Sequence, residues 1–294
     1  MTLASTGELV AAAVAASAAV PAFNVITLES AEAIVAGADR AGAAVLLQVS
    51  ENAIGYHGAP GPLLMACREL AEAASVPVGI HLDHIIDDRL IGVLLDGASR
   101  WGISSIMVDA ASLPYDANVA ATTAVVARAH DLGLWVEAEL GEIGGKDGAH
   151  APGVRTEPAE ASAFVDLTGV DALAVAVGSS HAMREQGASL DVGLIARLAS
   201  ALPVPLVLHG TSGVPDDQLR AAIGAGIRKV NVGTALSLAA TSELRASLAA
   251  APDAIDPRRY LATGREAMAD VVAHLCAVTG LPAYSPRIRA AFPR

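Results

Sequence analysis

The chain of 294 residues is long enough for two small domains or for one large α/β barrel. Its formal net charge of −12 argues against a general binder of phosphate backbones, and an aromatic content of only 3% argues against stacking surfaces for single-stranded nucleic acid. We therefore expect no nucleic-acid partner. An acidic protein can still bind a small anion through backbone amides, a metal or a few local cations.

The amino-terminal residues and the cysteines help to predict the cellular compartment of the protein. The Ala-rich run at residues 9–20 follows no basic segment and is too short to span a bilayer, so we interpret residues 2–19 as an amphipathic helix of the folded domain. Cys67 and Cys276 are the only cysteines and lie far apart in sequence, which argues against a disulfide framework. We expect a cytoplasmic protein without a membrane partner.

Eight aliphatic runs recur about every 30 residues, which is the length of a βα unit. They lie at residues 22–25, 44–49, 78–82, 105–108, 134–140, 172–177, 205–208 and 229–232. Helical periodicity marks the stretches between them, at residues 30–41, 62–74, 87–97, 118–132, 158–168, 192–201 and 215–225. Continuous apolar strands that alternate with helices form a parallel sheet, and eight units predict an α/β fold, the (β/α)₈ TIM barrel. We expect one domain over residues 1–294, with an extra N-terminal helix and C-terminal helices.

A doubly wound sheet is the alternative architecture. It favours fewer strands and a Gly-rich dinucleotide loop after the first strand. Residues 23–27, Phe-Asn-Val-Ile-Thr, are not such a loop, so the barrel is preferred.

Nearly every predicted strand ends on a polar side chain. These residues are Asn24, Ser50, Asp83 with His84, Asp109, Glu139, His181, His209, and Asn231 with Thr234. A single polar residue after a strand is usually a helix cap or a turn residue. In a barrel, however, the carboxyl ends of all strands meet on one rim, where active sites lie. The pattern predicts an active site on that rim.

Three titratable side chains occur within four residues at the end of the third strand. His81 and Asp83 lie on one face of an extended strand, and Leu82 and His84 lie on the other. An Asp and a His at this point can be a general acid/base beside a metal ligand, but they can also be a helix cap and a packed histidine. The stretch alone does not decide between these interpretations.

Three histidines, His84, His181 and His209, follow the third, sixth and seventh strands. Three imidazoles that converge and leave a fourth position open form a catalytic zinc site. Singly, each would more often be a core or turn histidine, but their common rim favours the metal site. The remaining histidines on predicted helices or loops are interpreted as surface or structural residues: His57, His130, His150 and His274.

Loops of small residues adjoin these histidines. Residues 178–180 precede His181, and residues 210–213 follow His209. Such loops expose backbone N–H groups to anions, and with residues 231–234 they predict the phosphate site that barrels form after strands seven and eight. The Gly-rich residues 141–148 could be a mobile lid or an ordinary surface loop, and the two interpretations are equally good.

Taken together, these motifs resemble the class II, metal-dependent ketose-bisphosphate aldolases, which act on fructose 1,6-bisphosphate or tagatose 1,6-bisphosphate. The matching segments are residues 21–25, 81–84, 136–141 with 144–145, 208–210, 229–232, and 256–260 with 265–268. They occur in order over almost the whole chain, and they are specific as a set.

The resemblance implies a zinc ion on His84, His181 and His209. It also implies a second divalent position that uses Asp109 and Glu139, and it allows for a monovalent cation. Asp83 matches the residue that exchanges a proton with the nascent hydroxyl group.

Substrate contacts are implied in the same way. The implied substrate-binding residues are Asn24, Ser50, Ala182, Gly210, Thr211, Ser212, Asn231, Val232, Gly233 and Thr234. The implied lid residues are Gly144, Gly145 and Asp147, and the segment with Arg258 and Arg259 matches one that reaches the distal phosphate of a neighbouring subunit. The implied protein is a homodimer or homotetramer of carbohydrate metabolism such as glycolysis, and it reversibly cleaves a phosphorylated ketose, such as fructose 1,6-bisphosphate, to dihydroxyacetone phosphate and an aldehyde.

The chain departs from the family pattern at several positions. Ala182 replaces a usual Gly, Asp147 stands where the lid usually carries Glu, Ile85 replaces a frequent Gly, and Gly233 replaces an acidic, amide or small residue. Residues 109–111 also differ from the usual Asp-Gly/Ala-Ser. These departures bear on the choice of substrate more than on the reaction.

Three other functions remain open beside an aldolase for a different keto-sugar or keto-acid. A Schiff-base aldolase needs a lysine on the catalytic rim, whereas Lys146 lies in the Gly-rich segment and Lys229 begins the eighth strand, on the opposite rim. A barrel hydrolase commonly has His-x-His on its first strand, where this chain has Asn24. A sugar-phosphate-binding barrel without catalysis would not need Asp83 beside three histidines.

Overall fold

The computed structural model describes residues 2–140, 155–179 and 187–281. Eight parallel strands close into a barrel in chain order, and the last strand pairs with the first. The strands are β1 (Val20–Asn24), β2 (Val45–Ser50), β3 (Val78–Ile85), β4 (Ile103–Val108), β5 (Trp135–Leu140), β6 (Ala172–Val175), β7 (Leu206–Leu208) and β8 (Ile227–Val232). The predicted (β/α)₈ barrel is therefore confirmed, and the closure of the sheet rules out the doubly wound alternative.

Helices cover the outer face and the amino end of this barrel. They are α1 (Thr6–Ala16), α2 (Leu28–Ala41), α3 (Glu51–His57), α4 (Pro60–Ala73), α5 (Asp88–Asp96), α6 (Ala98–Trp101), α7 (Tyr115–Asp131), α8 (Pro158–Thr168), α9 (Val192–Ala201), α10 (Asp216–Ala225), α11 (Thr234–Ala250) and α12 (Pro257–Thr279). The extra N-terminal helix and the C-terminal helices are present as expected. Among the described residues, no helix combines the length and apolarity needed to cross a bilayer.

The N-terminal helix is shorter than the predicted residues 2–19. Ser17 adopts a left-handed conformation with φ 51° and ends α1, after which Val20 starts β1. Thr6 at the start of α1 lies 2.6 Å from Ser105, through their hydroxyl oxygens. Because α1 contacts β1, β3, β4 and β8, and residue Leu3 bridges the start of β3, this helix closes the amino end of the barrel and leaves the carboxyl end open.

Capping residues determine where two of the helices begin after their strands. Thr27 and Ser30 form a capping box that starts α2 immediately after β1. Ser50 caps α3, because its side chain accepts a hydrogen bond from the backbone N–H of Ala53 at 3.2 Å. Such caps hold the helix N-termini, with their free N–H groups, at the carboxyl rim of the barrel.

The hydrophobic core lies between the strands and the helices. Outward-facing strand residues such as Leu47, Ile80, Ile106 and Val136 are fully buried against helical side chains. The interior of the barrel is different, because it contains buried polar side chains. They are Gln48, His81, Ser105, Glu137 and Lys229, each at most 1% exposed.

Candidate active site

The end of β3 does not keep the alternation of a regular strand. His84 has a φ of 50°, and the register between β3 and β4 shifts between Leu82 and Ile85. Simple alternation would place His84 on the face opposite Asp83, but His84 Nε2 lies 3.8 Å from Asp83 Oδ1. The expectation of opposite faces is therefore wrong at His84, since the left-handed backbone turns this ring towards the rim.

The side chains of Glu139, at the end of β5, and of His209, after β7, both lie close to His84. His209, which follows β7, is fully buried, and its Nδ1 lies 3.4 Å from Oε2 of Glu139. Its ring packs edge-to-face against that of His84, with centroids 4.8 Å apart. One potential ligand atom from each of His84, Glu139 and His209 lies within 4.8 Å of the other two.

This arrangement fits a divalent ion. Two ligands of one tetrahedral zinc ion, each about 2.1 Å from it, lie about 3.4 Å apart, which matches the separation between His209 and Glu139. Imidazole nitrogens with a carboxylate oxygen are also a donor set that zinc accepts. His84, Glu139 and His209 therefore form a candidate metal centre.

Asp109 and His181 are the other expected metal ligands. Asp109 contacts His84 from the side, with Oδ2 2.8 Å from the ring Nδ1. A carboxylate in this position orients a ligating histidine and fixes its tautomer. His181 and Ala182 lie outside the described residues, as do Gly144, Gly145 and Asp147.

Glu137 supports His209 from behind. Its Oε1 lies 2.8 Å from His209 Nε2, and its Oε2 lies 2.8 Å from Lys229 Nζ. Burial by itself raises the pKa of Glu137, but the charges of Lys229 and His209 outweigh burial and hold it below its usual range. Burial lowers the pKa of His209, yet its hydrogen bonds with Glu137 and Glu139 raise it to about 9. A metal ion at Nδ1 would compete with this proton.

Asp83 is held between two amides at the rim. Asn24 Nδ2 donates to Asp83 Oδ2 at 3.0 Å, and Asn231 Nδ2 donates to Asp83 Oδ1 at 3.3 Å. Burial raises the pKa of Asp83, but the electrostatic effects of the neighbouring His84, His209, His81 and Lys229 together outweigh it and lower the value to about 2. Asp83 is thus a buried, ionised carboxylate next to the candidate metal centre.

A cavity of about 420 Å³ opens above these groups. The wall from β7, β8 and the following loops consists of Gly210, Thr211, Ser212, Asn231, Gly233 and Thr234. The opposite wall contains Asn24, Ser50, Asp83 and His84. This volume lies within the usual range for a small-molecule site, about 300 to 1,000 Å³.

The loops after β7 and β8 are held together by side-chain hydrogen bonds. Thr211 donates its hydroxyl to the carbonyl oxygen of Asn231, and Ser212 Oγ accepts from the N–H of Ala235 at 3.0 Å. The start of α11 at Thr234 lines the cavity, so the positive end of that helix faces it. These features suit an anionic group at this end of the cavity.

Gly233 has a steric reason to be glycine. A Cβ atom at this position would lie 2.7 Å from Asn24 Oδ1. A larger residue would therefore displace the amide that donates to Asp83. Val232, by contrast, is part of the hydrophobic core, so only its backbone is available to a ligand.

The two arginines expected near a distal phosphate lie at the start of α12. Arg258 pairs with Asp256, which caps this helix, at 2.8 Å. Neither Arg258 nor Arg259 belongs to the described cavity wall. Their contact with a neighbouring subunit stays a prediction.

Sequence reasoning missed the buried polar side chains beneath the rim. Glu137 precedes Glu139 by two residues, a spacing that places both on one face of a strand and could have indicated its inward position. Lys229 was expected on the opposite rim, and this is wrong. Its chain is long enough for the ammonium to reach Asn231 Oδ1, 2.7 Å away, inside the barrel. A buried ammonium paired with a carboxylate is not a free nucleophile, so the Schiff-base alternative gains no support.

A model of the protein family described as "Fructose-bisphosphate aldolase class-II" matches residues 4–282 of the chain. The chain is also similar to the solved structure of the YdjI aldolase from Escherichia coli K12, with 28% identity and a TM-score of 0.80 over 95% of this chain and 97% of that one. A protein from Coccidioides immitis, described as "a putative fructose-1,6-biphosphate aldolase", is 30% identical with a TM-score of 0.83, over 94% of this chain and 96% of that one. The fructose-bisphosphate aldolase of Campylobacter jejuni, at 21% identity, shares the fold with a TM-score of 0.81, over 96% of this chain and 97% of that one.

Proposed function

The chain belongs to the class II fructose-bisphosphate aldolase family, and on this basis we propose that it is a zinc-dependent aldolase that reversibly cleaves a phosphorylated ketose to dihydroxyacetone phosphate and an aldehyde. The observation that carries the proposal is the approach of His84, Glu139 and His209 to one another beside the carboxylate of Asp83. A metal centre with an adjacent base can catalyse carbon–carbon cleavage next to a carbonyl group.

In this proposal His84, His209 and His181 hold the metal, and Glu139 and Asp109 serve the same ion or a second divalent position. A zinc ion there supplies Lewis-acid stabilisation of the negative charge that develops on the substrate oxygens. Glu137 keeps the ring of His209 oriented, since its Oε1 lies 2.8 Å from the Nε2 atom of that ring.

Asp83 moves the proton. In the cleavage direction its carboxylate takes the proton from the hydroxyl group of the carbon that becomes the aldehyde. The bond between this carbon and the triose carbon then breaks, the electron pair stays on the triose, and the triose carbon takes up a proton from water to give dihydroxyacetone phosphate. In the synthesis direction Asp83 returns the proton to the new alkoxide.

The phosphate of the triose is assigned to the loops at residues 210–212 and 231–234. Backbone N–H groups and the positive end of α11 favour an anion there, although the whole chain carries a net charge of −12. Fructose 1,6-bisphosphate is the proposed substrate, because the description of the family and that of the similar protein from Coccidioides immitis both name it. The proposal includes a homodimer or homotetramer in the cytoplasm, with Arg258 and Arg259 directed to the second phosphate.

A coupled assay for triose phosphates tests the proposal. Fructose 1,6-bisphosphate, tagatose 1,6-bisphosphate and related ketose phosphates are supplied to the purified enzyme with and without a chelator. We expect turnover that is lost on chelation and restored by zinc. Turnover that survives complete metal removal, or a stable adduct after borohydride treatment, would contradict the metal-dependent mechanism.

Absence of turnover on every ketose phosphate, while these compounds bind in the presence of zinc or cobalt, would instead favour the non-catalytic sugar-phosphate-binding barrel. Release of acid or ammonia without a triose would favour the hydrolase. The triose-phosphate assay, together with measurements of ligand binding and of acid or ammonia release, therefore separates the proposed aldolase from all three alternatives.

A further inference from the structure

Lys229 is a fully buried cation that touches two different parts of the site. Its Nζ lies 2.8 Å from Glu137 Oε2 and donates to Asn231 Oδ1 at 2.7 Å. Glu137 in turn contacts His209, whereas Asn231 donates to Asp83. Lys229 is therefore connected to the candidate metal centre through Glu137, and to Asp83, the proposed proton-transfer group, through Asn231.

The contact with Asn231 selects one of two amide orientations. In the observed orientation the oxygen faces the ammonium and Nδ2 faces Asp83. A rotation by half a turn would place the NH₂ group against the ammonium and the oxygen against the carboxylate. Both contacts would then be repulsive, since a lysine ammonium only donates and an ionised carboxylate only accepts.

The side-chain amide of Asn24, which is the second one that donates to Asp83, is fixed in a similar way. Asn24 donates to Asp83 Oδ2, and its own Oδ1 accepts a hydrogen bond from Gln48 Nε2 at 2.8 Å. Each amide that faces Asp83 therefore has a buried donor behind its oxygen. For Asn24 this donor is a neutral amide, and for Asn231 it is the charged end of Lys229.

From this arrangement we propose that Lys229 is a positioning residue, which acts by holding the N–H groups of Asn231 towards Asp83 and the substrate cavity. The proposal rests on the aldolase function proposed above, and it gives Lys229 a role beyond neutralising Glu137. A fixed hydrogen-bond donor stabilises developing charge more than a rotating donor does, because it needs no reorganisation during the reaction.

The test must separate orientation of Asn231 from charge balance on Glu137. Glu137→Gln alone keeps the amine of Lys229 within reach of Asn231. The double variant Glu137→Gln/Lys229→Met has the same residue behind His209 but no donor to Asn231. Comparison of these two variants, rather than of either with the wild type, isolates the hydrogen bond from Lys229.

We expect Glu137→Gln to be the less stable of the two variants, because it leaves the buried ammonium of Lys229 without its carboxylate, and we expect both variants to bind cobalt with similar affinity. We expect kcat for ketose cleavage to be about 10- to 100-fold lower in the double variant, the size of effect of one hydrogen bond from a charged group. Equal kcat and equal binding of dihydroxyacetone phosphate, by calorimetry, in the two variants would overturn the positioning role.

A double-mutant cycle gives a second readout that a purely structural role would not produce. In an Asn231→Ala background with Glu137→Gln, adding Lys229→Met should cause no further loss of kcat, because the group through which Lys229 acts is gone. An additional loss of tenfold would overturn the proposal. If the Met variant does not fold, Lys229→Leu replaces it, since Leu has no hydrogen-bond donor for Asn231, and the same results are expected.

The outcome for the wild type separates the two proposals. Wild-type turnover with equal kcat in the matched variants refutes only the role of Lys229. A wild type that cleaves no ketose phosphate refutes the proposed aldolase function, and the role assigned to Lys229 is refuted with it.

Discussion

Asp83 is buried, yet both of its oxygens accept hydrogen bonds from side-chain amides, at 3.0 Å from Asn24 and at 3.3 Å from Asn231. Donors of this kind stabilise the ionised form and define where the carboxylate points. The carboxylate is therefore ready to accept a proton without moving, which is what a base in a rigid site requires.

The variant Asp83→Ala should retain metal but lose catalysis. Removing a positioned general base lowers kcat by about 100- to 10,000-fold, and metal content measured by atomic absorption should be unchanged, because Asp83 is not one of the three clustered residues. Asp253→Ala is the matched control, since this aspartate lies exposed in the turn between α11 and α12. A kcat near that of the wild type would refute the assigned role.

The variant His209→Ala should lose metal as well as activity. Removing an orienting partner of a ligand costs about 10- to 100-fold in affinity, so loss of the ligand itself should exceed about 100-fold. Competition with a fluorescent chelator measures the change. His130→Ala, on the outer helix α7, provides the control and should bind metal like the wild type.

Gly233 tests the packing of the amides around Asp83. In Gly233→Ala the new Cβ would meet Asn24 Oδ1 at 2.7 Å, so Asn24 must move. We expect kcat/KM for ketose cleavage to fall at least about tenfold, since small displacements of positioning groups are costly. In Gly224→Ala no atom of the described residues lies within 4 Å of the added methyl group, so kcat/KM should be unchanged.

At the scale of elements, β3 and β8 shape the site more than their apolar sequences indicate. β3 extends to Ile85 through the left-handed residue His84, and β8 carries Lys229 inward from its early part. A strand that bends at the rim can present Asp83 and the following histidine to one cavity. The neighbouring helices keep these strands in place.

The contact between α2 and α12 is especially close at Gly37. A Cβ atom there would meet the carbonyl oxygen of Ala269 and lie 2.6 Å from Val272 Cβ. Gly37→Ala should therefore push the two helices apart and lower the free energy of unfolding by about 1–3 kcal/mol, as overpacking does. Urea unfolding measures this change. Gly55→Ala should not show it, because no atom of the described part of the chain lies within 4 Å of the new methyl group.

At the scale of the whole molecule, the barrel has one closed end and one open end. Helix α1 covers the amino end, and a layer of buried polar side chains fills the interior below the rim. Buried charges are stable only when they are paired, so Glu137 and Lys229 depend on each other. This dependence makes global stability sensitive to pH.

The folded protein should lose stability in acid partly through Asp83 and Glu137. Both pKa values are lowered in the fold, so their contribution is fully present above the unfolded values, near 4, and is lost as the pH falls through the folded ones, towards about 2 for Asp83. Scanning calorimetry from pH 6 to 2.5 measures this loss. The variant Glu137→Gln/Lys229→Met should show a shallower decline, and an identical decline would refute the contribution of Glu137.

The amino-acid sequence by itself determined the number of βα units, the barrel fold and several residues at the carboxyl rim. These features follow from local patterns, since aliphatic runs, helical periodicity and caps act over a few residues. The cavity lining confirms that Asn24, Asp83, His84 and Asn231 meet, whereas their assigned catalytic, metal and substrate roles stay predictions.

Only the tertiary structure decided where the polar groups of the long, buried side chains lie. The reach of Lys229 across the barrel, the turn of His84 and the partners of Glu137 depend on the bend and closure of the sheet. No local pattern encodes these distances, because the interacting residues come from different strands. The physical reason is that a buried charge must find its partner in space, and the closed barrel determines which partner lies within reach.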